Sequence, residues 1–322
     1  MRSRIGSESD KGASEINMPV IEITNLTKDY EVGFLRKRRV RALDGLSLSI
    51  DQGEIFGFLG ANGAGKTTTL KLLMRLIFPT TGSARILGHD IQDVQMHQRI
   101  GYLPENPYFY DYLTGREFLE YCAEIFGLPS AERKKRAADL LSRVGLDEKR
   151  WDTQLRKFSK GMLQRVGLAQ SLVNDPEIVF LDEPMSGLDP VGRREVRDLI
   201  AGLRDEGTTV FMCSHILSDI EVLCDRVAIL KKGSLAQVGY LDELRRTTEG
   251  PNRMEVMATG ADAGALRQHL SGSQITATPG GLRIEISSED EIERVLAALR
   301  KAGGKIISIQ PIKQSLEELF LD

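Results

Sequence analysis

The chain has no uninterrupted apolar run near the roughly 18 residues that span a bilayer, and its opening, MRSRIGSESDKGASEIN, lacks the apolar centre of a secretion signal. Both absences lead to the expectation of a cytoplasmic protein. Only three cysteines occur, Cys122, Cys213 and Cys224, too few and too scattered for a disulfide framework or a zinc site. Charge of one sign is also missing. Forty-three Lys+Arg against forty-six Asp+Glu leave a formal charge of -3, so no overall excess draws the protein to nucleic acid or anionic lipid. Apolar residues at 41% and charged residues at 28% are ordinary for a globular protein and exclude disorder as a global description. The 322 residues suffice for one large or two ordinary domains.

Residues 1–19 are rich in Ser, Gly and charge and read as a disordered tail. From Val20 onward short aliphatic runs (VIEITNL, LSLSI, IFGFLG) alternate with helical patterns such as TTLKLLMRLI. Further runs, IVFL at Ile178–Leu181, TVFMC at Thr209–Cys213 and RVAIL at Arg226–Leu230, are each followed by a turn or helix, as a parallel sheet covered on both faces requires. The stretch of about 89–166 shows no such run and reads as mostly helical. After Leu244, RRTTEGPNR reads as a linker. Beyond it the order is strand, helix, strand, a Pro279-Gly-Gly281 turn, strand, helix, strand, then a short terminal helix SLEELFL, which is the βαββαβ arrangement of a ferredoxin-like domain.

The strongest chemical signal is Gly60-Ala61-Asn62-Gly63-Ala64-Gly65-Lys66-Thr67, which satisfies G-x-x-x-x-G-K-[ST] between an expected strand and an expected helix. Glycines let backbone N–H groups face phosphate oxygens, and the helix that follows adds its positive end. Lys66 then neutralises the β- and γ-phosphates and Thr67 offers a hydroxyl to Mg²⁺. Downstream, Asp182 and Glu183 follow a buried strand at its C-terminal end, where open α/β sheets bind ligands. Asp182 suits the Mg²⁺ shell and Glu183 suits the general base for an attacking water. The two motifs together indicate a nucleoside triphosphatase.

At this point the chain resembles the ATP-binding subunit of ABC transporters over about 20–244. Phe158-Ser159-Lys160-Gly161-Met162-Leu163-Gln164-Arg165 is similar to the family signature, Ser186-Gly187-Leu188-Asp189 to its D-loop, and His215 after TVFMC to its switch histidine. Tyr30 resembles the aromatic residue that stacks on adenine. The resemblance implies an α/β fold, a P-loop NTPase core with a helical subdomain at about 89–166, in a nucleotide-binding domain of 20–244. A small α+β ferredoxin-like accessory domain then occupies 245–322. It also implies that the glycine turn through Thr68, with Tyr30, Glu105, Ser159, Lys160, Gly161 and Asp189, binds ATP, that Thr67, Asp182 and Glu105 hold Mg²⁺, and that His215 contacts the γ-phosphate. Lys160 stands where a glycine is usual and Glu105 where a glutamine is usual, as in bacterial exporters of the second ABC export class. For Glu105 taken alone, a solvated loop carboxylate and a metal-sphere residue are both open readings.

The family places the signature across from the nucleotide of a second subunit, so two copies pair head to tail. The lack of a membrane segment implies separate transmembrane subunits, with the protein on the cytoplasmic face of the inner membrane. Tyr108, Phe109, Tyr110 and Tyr112 form either a groove for a partner's helix, near Glu105 to Tyr112, or ordinary packing. The run Arg36-Lys-Arg-Arg39 with Arg41 is either a solvated face or a contact with headgroups, partner loops or phosphates, and is too short to imply nucleic acid. A soluble ABC ATPase acting on DNA or ribosomes is the rival, but the chain lacks the long heptad insertion or second nucleotide-binding set that it would carry.

Overall fold

The computed structural model describes residues 19–33, 37–248, 254–270, 273–278, 280–286 and 290–311. The expected tail up to residue 18, Arg36, Pro279 and the expected terminal helix lie outside the described residues. The chain divides into two compact units, with the break between Val238 and Gly239.

In the first unit, β1 (Pro19–Val32) and β2 (Arg38–Asp51) pair antiparallel. β3 (Ile55–Leu59) leads through the glycine turn into α1 (Lys66–Leu73), and β4 (Thr81–Ile86) and β5 (His89–Asp90) return to the first sheet, whose order is β2-β1-β4-β5. β6 (Ile100–Leu103) precedes three helices, α2 (Gly115–Ile125), α3 (Ser130–Arg143) and α4 (Lys160–Ser171). Then come β7 (Ile178–Asp182), α5 (Pro190–Asp205), β8 (Thr209–Ser214), α6 (Leu217–Leu223), β9 (Arg226–Lys231) and β10 (Ser234–Tyr240). The second sheet has the order β10-β9-β3-β8-β7-β6. Within it β9-β3, β3-β8, β8-β7 and β7-β6 are parallel pairs.

The sheet positions follow from composition. β3, β7 and β8 are buried at every residue, which is why they read as unbroken apolar runs rather than as alternation. β6 corrects the reading of about 89–166 as strandless: Ile100-Gly-Tyr-Leu103 is a short edge strand beside β7, and its four residues were too few to register as a run. Helix begins at Thr114, whose hydroxyl accepts from the Glu117 amide while the Glu117 carboxylate accepts from the Thr114 amide, a complete capping box. Four fully buried phenylalanines anchor the core between the two sheets, with the Phe211 ring 5.8, 5.3 and 5.6 Å from those of Phe56, Phe58 and Phe180.

In the second unit, α7 (Leu241–Thr248) occupies the start of the stretch read as a linker, because LDELRR is built of strong helix formers. β11 (Met254–Thr259), α8 (Ala263–His269), β12 (Gln274–Thr278), β13 (Gly281–Ile286), α9 (Asp290–Lys301) and β14 (Lys305–Pro311) follow. They form an antiparallel sheet of order β12-β13-β11-β14, the ferredoxin-like arrangement expected, over its own core of Val256, Leu266, Ile284, Ile286, Val295 and Leu299.

Phe211→Ala is expected to destabilise the first unit by about 3–5 kcal/mol through the cavity it leaves. Urea unfolding followed by the fluorescence of Trp151, the single tryptophan, measures it. A loss below about 1 kcal/mol would contradict the central place given to that ring.

Candidate functional site

The glycine turn is shaped by close approach. A Cβ on Gly60 would lie 2.7 Å from the Leu230 carbonyl oxygen, and one on Gly65, where φ is +111°, would lie 2.7 Å from that of Ala42. Lys66, only 6% exposed, folds back so that its Nζ donates to the Gly60 carbonyl at 2.6 Å and sits 3.5 Å from Glu183 Oε1. The turn opens on a cleft of about 500 Å³ walled by Ala61, Asn62, Gly63, Gly65, Lys66, Thr67, Thr68, Ala42, Glu105 and Glu183. Ala64 is buried behind that wall, its carbonyl accepting from the Gly233 amide.

Asp182 ends β7 and is 1% exposed. Burial, reinforced by the charges of Glu183 and Glu105, pushes its carboxyl up to about 6 although the Thr67 hydroxyl donates to it. Its Oδ1 is buried with no hydrogen-bond partner. Glu183 has a φ of +51°, a left-handed backbone that costs a side-chain-bearing residue on the order of 1–3 kcal/mol. The turn is held because its amide donates to Cys213 and its carbonyl accepts from Ser186, both at 3.0 Å. The Glu183 side chain receives Lys66 on Oε1 and His215 Nδ1, at 2.9 Å, on Oε2.

Lys66, Thr67, Asp182, Glu183, His215 and Glu105 are therefore gathered at one end of the parallel sheet. The signature residues are not. Ser159, Lys160 and Gly161 line a separate cleft of about 620 Å³ with Gly187, Leu188 and Asp189, and the two clefts share no lining residue. Ser159 caps α4 by accepting from the Met162 amide at 3.3 Å, and Asp189 caps α5 by accepting from the Gly192 amide at 2.7 Å. Lys160 lays its side chain across Gly187. Tyr30 pairs with Val40 on β1-β2, its ring under the Lys28 amine at 5.2 Å. It is not on the cleft wall, but stands two rungs, about 7 Å, along the ladder from Ala42.

The aromatic group divides. Phe109 is 9% exposed and edge-on to Phe118 at 5.2 Å, which is packing, whereas Tyr108 is 87% exposed and Tyr110 and Tyr112 are also on the surface. In the basic run, Lys37 pairs with Glu31 at 2.7 Å and Arg41 with Asp44 at 2.9 Å, exposed pairs of small energetic weight, while Arg41 also reaches the largely covered Asp29 carboxylate at 2.9 Å. One wall residue, Ala42, escaped the sequence reading because it gives no local signal. Gln164 was read as part of the signature segment, but its burial and its bond to the Pro184 carbonyl were not foreseen.

The raised carboxyl of Asp182 fixes the sign of a pH effect. Its native proton is held up to about 6 against an ordinary 3.8, so the native state binds the extra proton in that window and loses stability as pH rises through it. At neutral pH without metal or nucleotide, Asp182→Asn is expected to be more stable than the parent, by on the order of 1–3 kcal/mol. The advantage should vanish below about pH 4. Urea unfolding across pH tests this; an advantage that grows toward acid would overturn it.

The ABC transporter family profile matches residues 43–186, and the profile described as ATP-binding protein DrrA1-3-like, C-terminal domain, matches residues 239–322. An uncharacterized ABC transporter ATP-binding protein of Nostoc sp. is 46% identical over 308 residues, covering 95% of this chain and 90% of that protein. The daunorubicin/doxorubicin resistance ATP-binding protein DrrA of Streptomyces peucetius is 33% identical over 309 residues, 94% of this chain and 91% of its own. Among solved structures, the dimeric post-hydrolysis state of the ATP-binding cassette MJ0796, bound to ADP and Pi, superimposes with a TM-score of 0.63 at 27% identity, over 69% of this chain and 98% of that one. With a phosphate-shaped glycine turn facing paired acids, and relatives matched along nearly their whole length, the chain belongs to the ATP-binding proteins of ABC transporters and is an ATPase.

Proposed function

We propose that this ATPase works as a head-to-tail homodimer on separate transmembrane subunits, peripheral to the cytoplasmic face of the inner membrane, and that Mg-ATP hydrolysis powers export. One observation carries the reading. The P-loop cleft holds Lys66, Thr67 and Glu183, while Ser159 to Gly161 face a different cleft of the same chain, so a nucleotide touching both sets needs two copies. The dimeric form of MJ0796 supports this pairing, and the resistance named for the Streptomyces relative supports export.

The donor set fits Mg²⁺. Thr67 and Asp182 present hard oxygens side by side, and the partnerless Asp182 Oδ1 is a buried acceptor that a cation would satisfy. When bound at Thr67 and Asp182, the ion would offset the negative charge of the triphosphate. Lys66 leaves its Gly60 carbonyl to neutralise the same phosphates. Glu183, held by Lys66 and His215, accepts the proton of the attacking water as its oxygen bonds to the γ-phosphorus and the bond to the leaving ADP oxygen breaks. With Nδ1 donating to Glu183, His215 has its Nε2 on the far side of the ring for a γ-phosphate oxygen. The loop residues Gly60 to Thr68 hold the phosphates, Tyr30, which stands off the cleft wall on β1, receives the adenine that extends beyond it, and the charge of Glu105 acts on Asp182.

The exposed Tyr108, Tyr110 and Tyr112 are the docking point for a membrane partner. Beside α2 lies an apolar groove of about 410 Å³, lined by Met74, Leu76, Tyr102, Ile125 and Phe126, that suits a helix from such a partner. No helix among the described residues is long and apolar enough to cross a membrane.

Glu183→Gln is expected to lower turnover by about 10²-fold or more and to accumulate an ATP-bound dimer in light scattering, where ADP leaves monomer. Full turnover in that variant ends the assignment of the base, and a monomer under saturating ATP ends the dimer reading. Lys66→Ala should abolish nucleotide binding in calorimetry; unchanged affinity would count against its role in the cradle.

A further inference from the structure

Glu183 is followed by Pro184, and the Pro184 carbonyl accepts from Gln164 Nε2 at 2.8 Å. Gln164 is 4% exposed and lies in α4, one and a half turns from the capping Ser159, about 8 Å along the axis. Its amide orientation is set by chemistry, because a proline carbonyl can only accept and only the Gln NH₂ can donate. The strained Glu183 turn is thus held from three sides: by Cys213 of β8, by the Ser186 amide within the turn, and by α4 through Gln164. The third support differs in kind from the others. It comes from the helix whose first turn, at Lys160 and Gly161, faces the second cleft with Gly187 and Asp189.

We propose that Gln164 is a positioning residue for hydrolysis. Its amide holds the Pro184 carbonyl and, through it, the left-handed Glu183 backbone in the orientation that aims the carboxylate into the P-loop cleft. Because the same helix carries Ser159 at its tip, a shift of that tip on a second copy's nucleotide is passed to Glu183 in its own chain. Hydrolysis in one cleft thereby depends on occupancy of the other. Gln164 itself lines neither cleft. The proposal rests on Glu183 being the general base, as set out above.

The test uses the full chain and Mg-ATP, with the parent, Gln164→Leu, Glu183→Gln and the double variant. Gln164→Leu is expected to lower kcat by about 10- to 100-fold, the effect of misplacing a reacting group by an ångström or so, while KM for ATP stays within about twofold. In the Glu183→Gln background the same substitution should cause no further loss, since the group it positions is gone. Gln164→Met, of similar length and shape but with no N–H to donate, should reproduce the kcat loss and serves if the leucine variant folds poorly by circular dichroism. Unchanged kcat in Gln164→Leu, with Glu183→Gln inactive, overturns the proposal and leaves the base assignment standing. An equal loss in both backgrounds, or a loss confined to KM, overturns it likewise. Full activity of Glu183→Gln removes the base assignment first, and this proposal with it.

Discussion

Everything in the site depends on three neighbouring strands ending on one line. β8 lies between β3 and β7, and in the parallel register Leu59 stands beside Ser214 while Asp182 stands beside Cys213. The glycine turn, the acidic pair and His215 each begin within a residue or two of those positions. Parallel pairing requires that the strands be buried on both faces, so the apolar runs that drive the sheet into the core also bring its polar ends together. Chemistry is placed by packing here, and the burial that packing imposes is what chiefly raises the Asp182 carboxyl, with the charges of Glu183 and Glu105 adding to it.

That burial makes the nucleotide-free site a poised one. Lys66 is shared between a carbonyl and a carboxylate, and Asp182 has an oxygen with nothing to bind. In the reading proposed above, phosphate and a cation would supply these groups with partners, so that ligand binding relieves unfavourable burial at Asp182. The left-handed turn at Glu183 adds strain of the same sort, retained because β8 and α4 over-determine it.

Much of this was legible in the residues themselves. The turn from Gly60 to Thr67 is a local motif, so its strand-loop-helix context could be read from a dozen neighbours. The ferredoxin-like order after α7 was legible from the successive strand and helix patterns and the glycine turn between β12 and β13, although its edge strand β14 pairs with β11 from the other end of the domain. Non-local pairing was harder. Nothing in VIEITNL says that β1 joins β2, β4 and β5 in a sheet apart from the parallel one, and the four residues of β6 carry too little pattern to announce an edge strand.

The sequence by itself determined where the glycine turn and its lysine lie, because backbone geometry at glycines and a lysine at fixed spacing are properties of eight consecutive positions. It also determined that two domains of different grammar follow one another. Only the tertiary structure decided that Ser159 to Gly161 face away from the chain's own P-loop, that Asp182 keeps an unpaired oxygen, and that Gln164 reaches Pro184. Those facts arise between elements distant in the chain, where burial and hydrogen-bond geometry are set by how helices and strands pack, and no local pattern encodes them.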